Sequence, residues 1–216
     1  MWSFRPLHGG AMVDRKMPTL AQKRSVETRD ALIEGAATVF ARLSYGEARL
    51  RDIAGDSGIS EGSIYFHFGT KAEIAGAVIA AQQERMTAVL AGVRGSAKAP
   101  RAGLEQLLLL LTRLAKLISK DPVVQGGIRL AGEPSPELSN NVSEPYFEWV
   151  RIVSSLVRQG IADGSIRADV DVERVSETIN YLFVGAQVLS GLADSWKSFP
   201  VRLKRVIPTV EALLQH

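Results

Sequence analysis

Apolar residues recur along this chain at spacings of three and four, and no stretch alternates with the two-residue period of a half-buried strand. That periodicity admits helices and little else. Leu32, Ile33, Ala36, Phe40 and Leu43 set one helix over about 22–45, which Gly46 ends. A short helix follows over 50–56 with Leu50, Ile53 and Ala54, then Gly58, a second short helix over 61–67 and a break at Gly69. Thr70 with Glu73 three residues on is a capping box, and it opens a helix to about 94. GSAKAPRAG reads as a linker. An apolar helix over 101–119 comes next, then a short one begun by Asp121-Pro122, and then the loop GEPSPELSNN. Helices over 143–162, 171–194 and 199–214 complete the chain, with Asp171 as a cap, Pro200 in a first turn and Pro208 as a kink. Nine or ten helices and no repeat predict an all-α fold.

The rest of the composition narrows the function. The chain has 216 residues and no cysteine, which excludes disulfides and thiolate metal sites. Its three histidines form no metal or acid–base motif, so neither an enzyme nor a cofactor is expected. The opening MWSFRPLHGGAMVDRKMP has no apolar signal region, and residues 1–18 read as a loose arm in which Met12 and Met17 are alternative starts. The LLLLL run at 107–111 is too short to span a bilayer, so a cytoplasmic protein is expected. The net charge of +3 permits an acidic partner without demanding one.

The stretch ISEGSIYFHFGTKAEI at 59–74 carries the sharpest signal. Two short helices joined at Gly58 suggest a helix-turn-helix. Ala54 is small where the helices cross, Gly58 suits a positive φ, Ser60 can cap, and Ile53, Ile59 and Ile64 supply a small core. Four consecutive rings cannot all face inward at ~100° per residue. Phe66 and Phe68 are assigned to the core. Glu61, Gly62, Ser63, Tyr65 and His67 are left facing outward. Gly62 and Ser63 let a groove edge approach, and Tyr65 and His67 can bond phosphate oxygens. Lys71 in a first helical turn opposes the dipole unless an anion binds there. The competing reading packs the aromatics into a small helical core, and the residues alone leave both open.

The segment LRDIAGDSGISEGSIYFHFGTKAEI, with DIA at 52–54, G-I-S at 58–60, Y-x-H-F at 65–68 and K-x-E at 71–73, resembles the N-terminal domain of the TetR family of bacterial transcriptional repressors. The resemblance implies a three-helix DNA-binding domain over 19–69 with helix 61–67 in the major groove, and a ligand-binding and dimerisation bundle over 70–216. It implies that Gly62 and Ser63 approach base edges. Tyr65, His67 and Lys71 would hold phosphates, joined by Arg49 and Arg51 at the start of the 50–56 helix. Ser60, Glu61 and Thr70 complete the expected DNA face. This chain departs from the family in three places. Glu61 stands where Lys or Arg is frequent; it can accept from a cytosine amino group but repels phosphate. Arg49 stands where a capping Thr is usual. Ser44 replaces a glycine before the aromatic Tyr45.

Farther on, DPVVQGGIRLAGE at 121–133 and PYFEWVRIV at 145–153 resemble the γ-butyrolactone receptor branch of that family, which implies that Trp149 lines a ligand pocket. A Trp between Glu148 and Arg151 can stack on a small apolar ligand and offer one N–H. Leu114, Leu117, Ile118, Val123, Ile128, Val153, Phe183 and Gln187 could complete an apolar cavity. Simple core packing of Trp149 is the alternative. The last two helices carry Val175, Ile179, Leu182, Phe183, Ala186 and Leu189, then Leu203, Val206, Ile207 and Val210. The resemblance makes them a four-helix dimer interface, and a two-fold dimer suits a palindromic site. Core packing within one protomer is the alternative there.

The expectation is therefore a homodimeric repressor of a double-stranded DNA operator, released by a small apolar effector. The alternatives are a regulator answering to a fatty acid, drug or other metabolite, and a dimeric interaction protein with a weakened DNA head.

Overall fold

A computed structural model describes residues 19–94, 102–133, 137–138 and 143–215. The expected arm at 1–18, most of the GSAKAPRAG linker and most of the GEPSPELSNN loop lie outside the described residues. Among the described residues every regular element is a helix: α1 (Leu20–Arg42), α2 (Leu50–Ser57), α3 (Glu61–His67), α4 (Lys71–Arg94), α5 (Gly103–Ile118), α6 (Pro122–Gly132), α7 (Ser143–Ala162), α8 (Val172–Asp194) and α9 (Phe199–Gln215).

The helix ends follow local chemistry. α1 starts earlier than its apolar pattern because Thr19 and Gln22 form a reciprocal capping box. It stops earlier too: Ser44 Oγ donates to Glu47 Oε2 (2.7 Å) in the turn beyond it. Gly58 ends α2 at φ 70°, a left-handed conformation that a β-carbon disfavours. Ser60 Oγ accepts from Ser63 N–H (3.3 Å) to open α3. Asp121 Oδ1 accepts from Val123 and Val124 N–H at the start of α6. Asp171 caps α8 through Arg174 N–H (3.1 Å). α9 runs unbroken from Phe199 to Gln215 with Pro208 inside it.

Two apolar cores result. The body core joins α4 to α9 through residues such as Leu107, Leu110, Leu156, Phe183, Phe199 and Leu203. The head core contains Leu32, Ala36, Phe40, Ile53, Ile64 and Phe68. It also takes in Ile74 and Val78 of α4, and Val123 and Leu130 of α6. Packing of the head therefore extends past the expected boundary at residue 69.

Helix α6 lies against both α1 and α4 at unusually short range. A β-carbon on Gly126 would stand 2.6 Å from the Ala37 carbonyl oxygen, and one on Gly127 would stand 2.4 Å from Gln82 Cβ. The adjacent glycines are what let the helix sit there. Polar ties hold the same junction. Arg85 on α4 pairs with Asp121 at the start of α6 (2.6 Å) and also with Glu34 on α1. Beyond α6, Glu133 accepts from Tyr45 N–H (2.7 Å) and Glu137 accepts from the Tyr45 hydroxyl (2.6 Å). Burial, and then the bond to the Glu137 carboxylate, push that phenol up to about 12.

Candidate DNA-binding face and ligand pocket

Helix α3 is short, and it is anchored through Ile64, which is fully buried. The next inward position after Ile64 is Phe68, at 3% exposure, beneath the Arg29 guanidinium (4.9 Å from the ring centre). Phe66 points the other way. It is 82% exposed, so its assignment to the core is corrected. Two residues along a helix rotate the side chain by ~200°, and with Ile64 pointing inward Phe66 must point out. Its ring meets the His67 ring edge-on at 5.2 Å. Glu61, Gly62, Tyr65 and Phe66 form the exposed surface of α3, with Ser63 and His67 half-buried at its flanks.

The flanking residues are arranged around that surface. Arg49 and Arg51 are exposed at the start of α2. No oxygen of the Arg49 side chain can cap, but its backbone N–H is taken by Asp52 Oδ2 (2.9 Å), so half of a capping box survives. Ser60 and Thr70 are exposed, each with its hydroxyl accepting from the N–H three residues on. Glu73 reaches back to Gly69 N–H (3.1 Å). Lys71 is half-buried. Its ammonium donates to the carbonyls of Tyr45 (2.7 Å) and Ala48 (3.1 Å) and lies 4.2 Å from the centre of the Tyr45 ring. Two of its three N–H groups thus hold the α1–α2 turn.

The second candidate site is a cavity of about 170 Å³ within the body. Leu114, Ile118, Ile128, Trp149, Val153, Phe183 and Gln187 all line it. Val123 does not; it is fully buried in the head core, so its place in the expected cavity is corrected. Five residues separate it from Ile128, which turns it ~140° around α6 and onto the opposite neighbour. Leu117 packs against the body core outside the lining. The lining also includes Gln82 and Met86 of α4 and Asn180 of α8, which sequence reasoning missed. A signal was available: Asn180, Phe183 and Gln187 recur at spacings of three and four on α8, two amides in an otherwise apolar stripe. Gln82 Nε2 donates to Met86 Sδ (2.6 Å). Among the described residues, none of those lining the cavity carries a charge. Among the described residues no three His, Asp or Glu side chains converge as a metal site would require, and no helix is long and apolar enough to cross a membrane.

Comparison with known proteins matches both parts of the chain. Residues 32–78 match the family of bacterial regulatory proteins of the tetR type, and residues 101–210 match the tetracyclin repressor-like C-terminal domain. The A-factor receptor protein of Streptomyces griseus is 23% identical over 193 residues, which cover 88% of this chain and 66% of that receptor, just under two thirds of its length. A solved structure described as the molecular basis for control of antibiotic production by bacterial hormones superimposes with a TM-score of 0.77 at 26% identity, covering 88% of this chain and 99% of that one. A gamma-butyrolactone receptor described as ArpA-like gives a TM-score of 0.66 at 26% identity, covering 85% and 99%. The two halves of the chain thus match the two halves of one architecture in order, and the protein belongs to the TetR family of bacterial transcription regulators.

Proposed function

We propose that the protein is a ligand-responsive repressor that binds a palindromic operator as a dimer and is released by a compact, uncharged effector of γ-butyrolactone type. One observation carries this reading: the two helices that close one side of the body cavity also belong to the head core. Gln82 and Met86 of α4 and Ile128 of α6 line the cavity, while Ile74, Val78, Val123 and Leu130 of the same helices pack beneath the DNA-binding face. An effector that spreads α4 from α6 must therefore displace the head. It releases DNA only to the extent that it binds the DNA-incompetent arrangement more tightly. Moving the equilibrium from 99:1 to 1:99 takes a preference of about 10⁴-fold.

On the DNA side, Gly62 and Ser63 face the base edges, and Tyr65, His67, Arg49 and Arg51 meet phosphates, with Ser60, Glu61, Thr70 and Lys71 at the margins. The exposed Phe66 adds an apolar contact suited to a thymine methyl. A two-fold partner is supported by the exposed stripe Tyr181, Val184, Val188 and Leu192 on α8, with Leu189 and Val201 beside it. Apart from Val184, which also lines the cavity, this stripe is a different face of α8 from Val175, Ile179 and Phe183, which fill the protomer's own core. No membrane partner enters this reading, and the cytoplasm is the compartment it requires.

The receptors named for A-factor and γ-butyrolactone support that effector class. A fatty acid is less well served, because its carboxylate would lie in a cavity with no cation among the described lining residues. The test is fluorescence anisotropy on DNA from the protein's own upstream region against a scrambled duplex, at two salt concentrations, with and without a 2-alkyl γ-butyrolactone. Specific, salt-sensitive binding that the lactone abolishes is expected. Specific binding indifferent to the lactone would retain the repressor and discard the effector class. No preference over scrambled DNA would favour an interaction protein with a weakened head.

A further inference from the structure

The cavity is not uniformly apolar, and one of its polar groups is unsatisfied. Asn180 is 7% exposed, and its Nδ2 has no hydrogen-bond partner among the described residues. Buried amide N–H groups are nearly always paired, because leaving one unpaired forfeits the hydrogen bonds it made to water. Packing offers no reason for an amide here. The other residues of α8 in the lining are Ile179, Phe183, Val184 and Gln187, of which the nearest in sequence are apolar, and an aliphatic residue of the same size would fill the position without the penalty. Gln82, another amide of the lining, already spends its Nε2 on Met86.

We propose that Asn180 is the residue that selects the effector, donating its Nδ2–H to a carbonyl oxygen of an uncharged ligand. The proposal rests on reading the cavity as the effector site and adds the ligand's polar requirement. Nδ2 is sealed off without a ligand, so the amide turns toward the cavity as the ligand enters; an acceptor met there satisfies a donor that is otherwise stranded, and a carbonyl compound gains relative to a hydrocarbon of the same shape. A carboxylate would offer an acceptor too, but it would bring a charge into a lining whose described residues include no cation to pair it. The cavity volume of about 170 Å³ sets the size. It exceeds the ~150 Å³ that accommodates benzene and falls short of the ~300–1,000 Å³ of drug-sized pockets. A single carbonyl-bearing ring with a short alkyl chain fits between those limits.

The test uses the full-length protein and ligand-observed NMR, with no DNA present. The probes are 2-butylcyclopentanone, the same skeleton with an exocyclic methylene in place of the carbonyl oxygen, and the matching cyclopentanecarboxylate. The ketone should bind about tenfold more tightly than the methylene compound, and the carboxylate should bind weakest. In Asn180→Leu the ketone should lose that tenfold advantage while the methylene compound keeps its affinity. Equal binding of ketone and methylene compound to the unmodified protein overturns the role of Asn180 and leaves the cavity reading intact. That comparison needs no variant, so it stands even if Asn180→Leu folds poorly. Binding of none of the three overturns both. A ketone preference that survives in Asn180→Leu assigns the donor elsewhere and overturns the proposal alone.

Discussion

Replacing Gly126 by Ala should separate the close seating of α6 from every other contribution it makes. The added β-carbon would stand 2.6 Å from the Ala37 carbonyl oxygen, against an ordinary contact of at least 3.4 Å, so α6 and α1 must part by roughly 0.8 Å. The obstacle is backbone on the α1 side, which cannot rotate away as a side chain could. Overpacking of this kind costs about 1–3 kcal/mol, and rigid backbone puts it toward the upper end. Ala also gains about 1 kcal/mol over Gly in a helix interior. Gly76→Ala in α4 supplies the control, because a β-carbon there has nothing within 4 Å and gains the propensity term alone. Subtracting the two variants cancels propensity and leaves the clash. Urea unfolding followed by far-ultraviolet circular dichroism, at one fixed protein concentration, should place Gly76→Ala above the unmodified protein and Gly126→Ala about 2–3 kcal/mol below Gly76→Ala. Operator affinity should fall in Gly126→Ala and hold in Gly76→Ala, because only the first moves Ile128 and Val123 together. A gap between the variants smaller than about 0.5 kcal/mol would refute the argument that the paired glycines fix the position of α6.

Three further outcomes are expected. Lys71→Met should lower stability by about 2–3 kcal/mol in urea unfolding, since it strips two charge-assisted bonds from the turn at Tyr45 and Ala48, and it should weaken binding to all DNA sequences alike. A loss of DNA binding with unchanged stability would mean that the ammonium serves phosphate alone. Leu192→Glu, at a position 82% exposed, should leave helicity intact and convert a dimer to monomers in light scattering; an unaltered mass would remove α8 from the interface. The Asp163 carboxyl is held below its ordinary 3.8 by the Ser165 hydroxyl and by backbone N–H groups, including Gly103 N–H at 2.7 Å. A lowered value means that its stabilising effect is present above pH 3.8 and is lost as pH falls through the depressed value. The advantage of the unmodified protein over Asp163→Asn in acid titration should therefore be constant near neutrality and vanish only in strong acid. An advantage that fades between pH 6 and 5 would assign it to another group.

The helices were legible because their chemistry is local. Spacings of three and four, Gly58, the Thr70 and Asp171 caps and the Asp121-Pro122 start each act within one turn, and all reappear as helix ends. Much of the cavity was legible for the same reason: Trp149, Val153, Phe183 and Gln187 lie on apolar faces of α7 and α8. What sequence could not supply were contacts fixed by tertiary approach. Val123 and Ile128 sit five residues apart on one helix that serves two cores, and periodicity alone does not say which face meets which. Aromatic character alone does not place Phe66; helical rotation from the buried Ile64 sends it outward. The α6 junction depends on Gly126 and Gly127 meeting residues about 89 and 45 positions earlier, a separation no local pattern encodes.

Reciprocal coupling between cavity and head is the most direct test of the account. The affinity of the protein for a 2-alkyl γ-butyrolactone would be measured twice, free and saturated with operator DNA, alongside operator affinity with and without saturating lactone. Thermodynamic linkage requires the two factors to be equal. Operator should weaken lactone binding by the factor by which lactone weakens operator binding, and this factor should collapse toward one in Gly126→Ala. Lactone binding with the same affinity to free and operator-bound protein would contradict it.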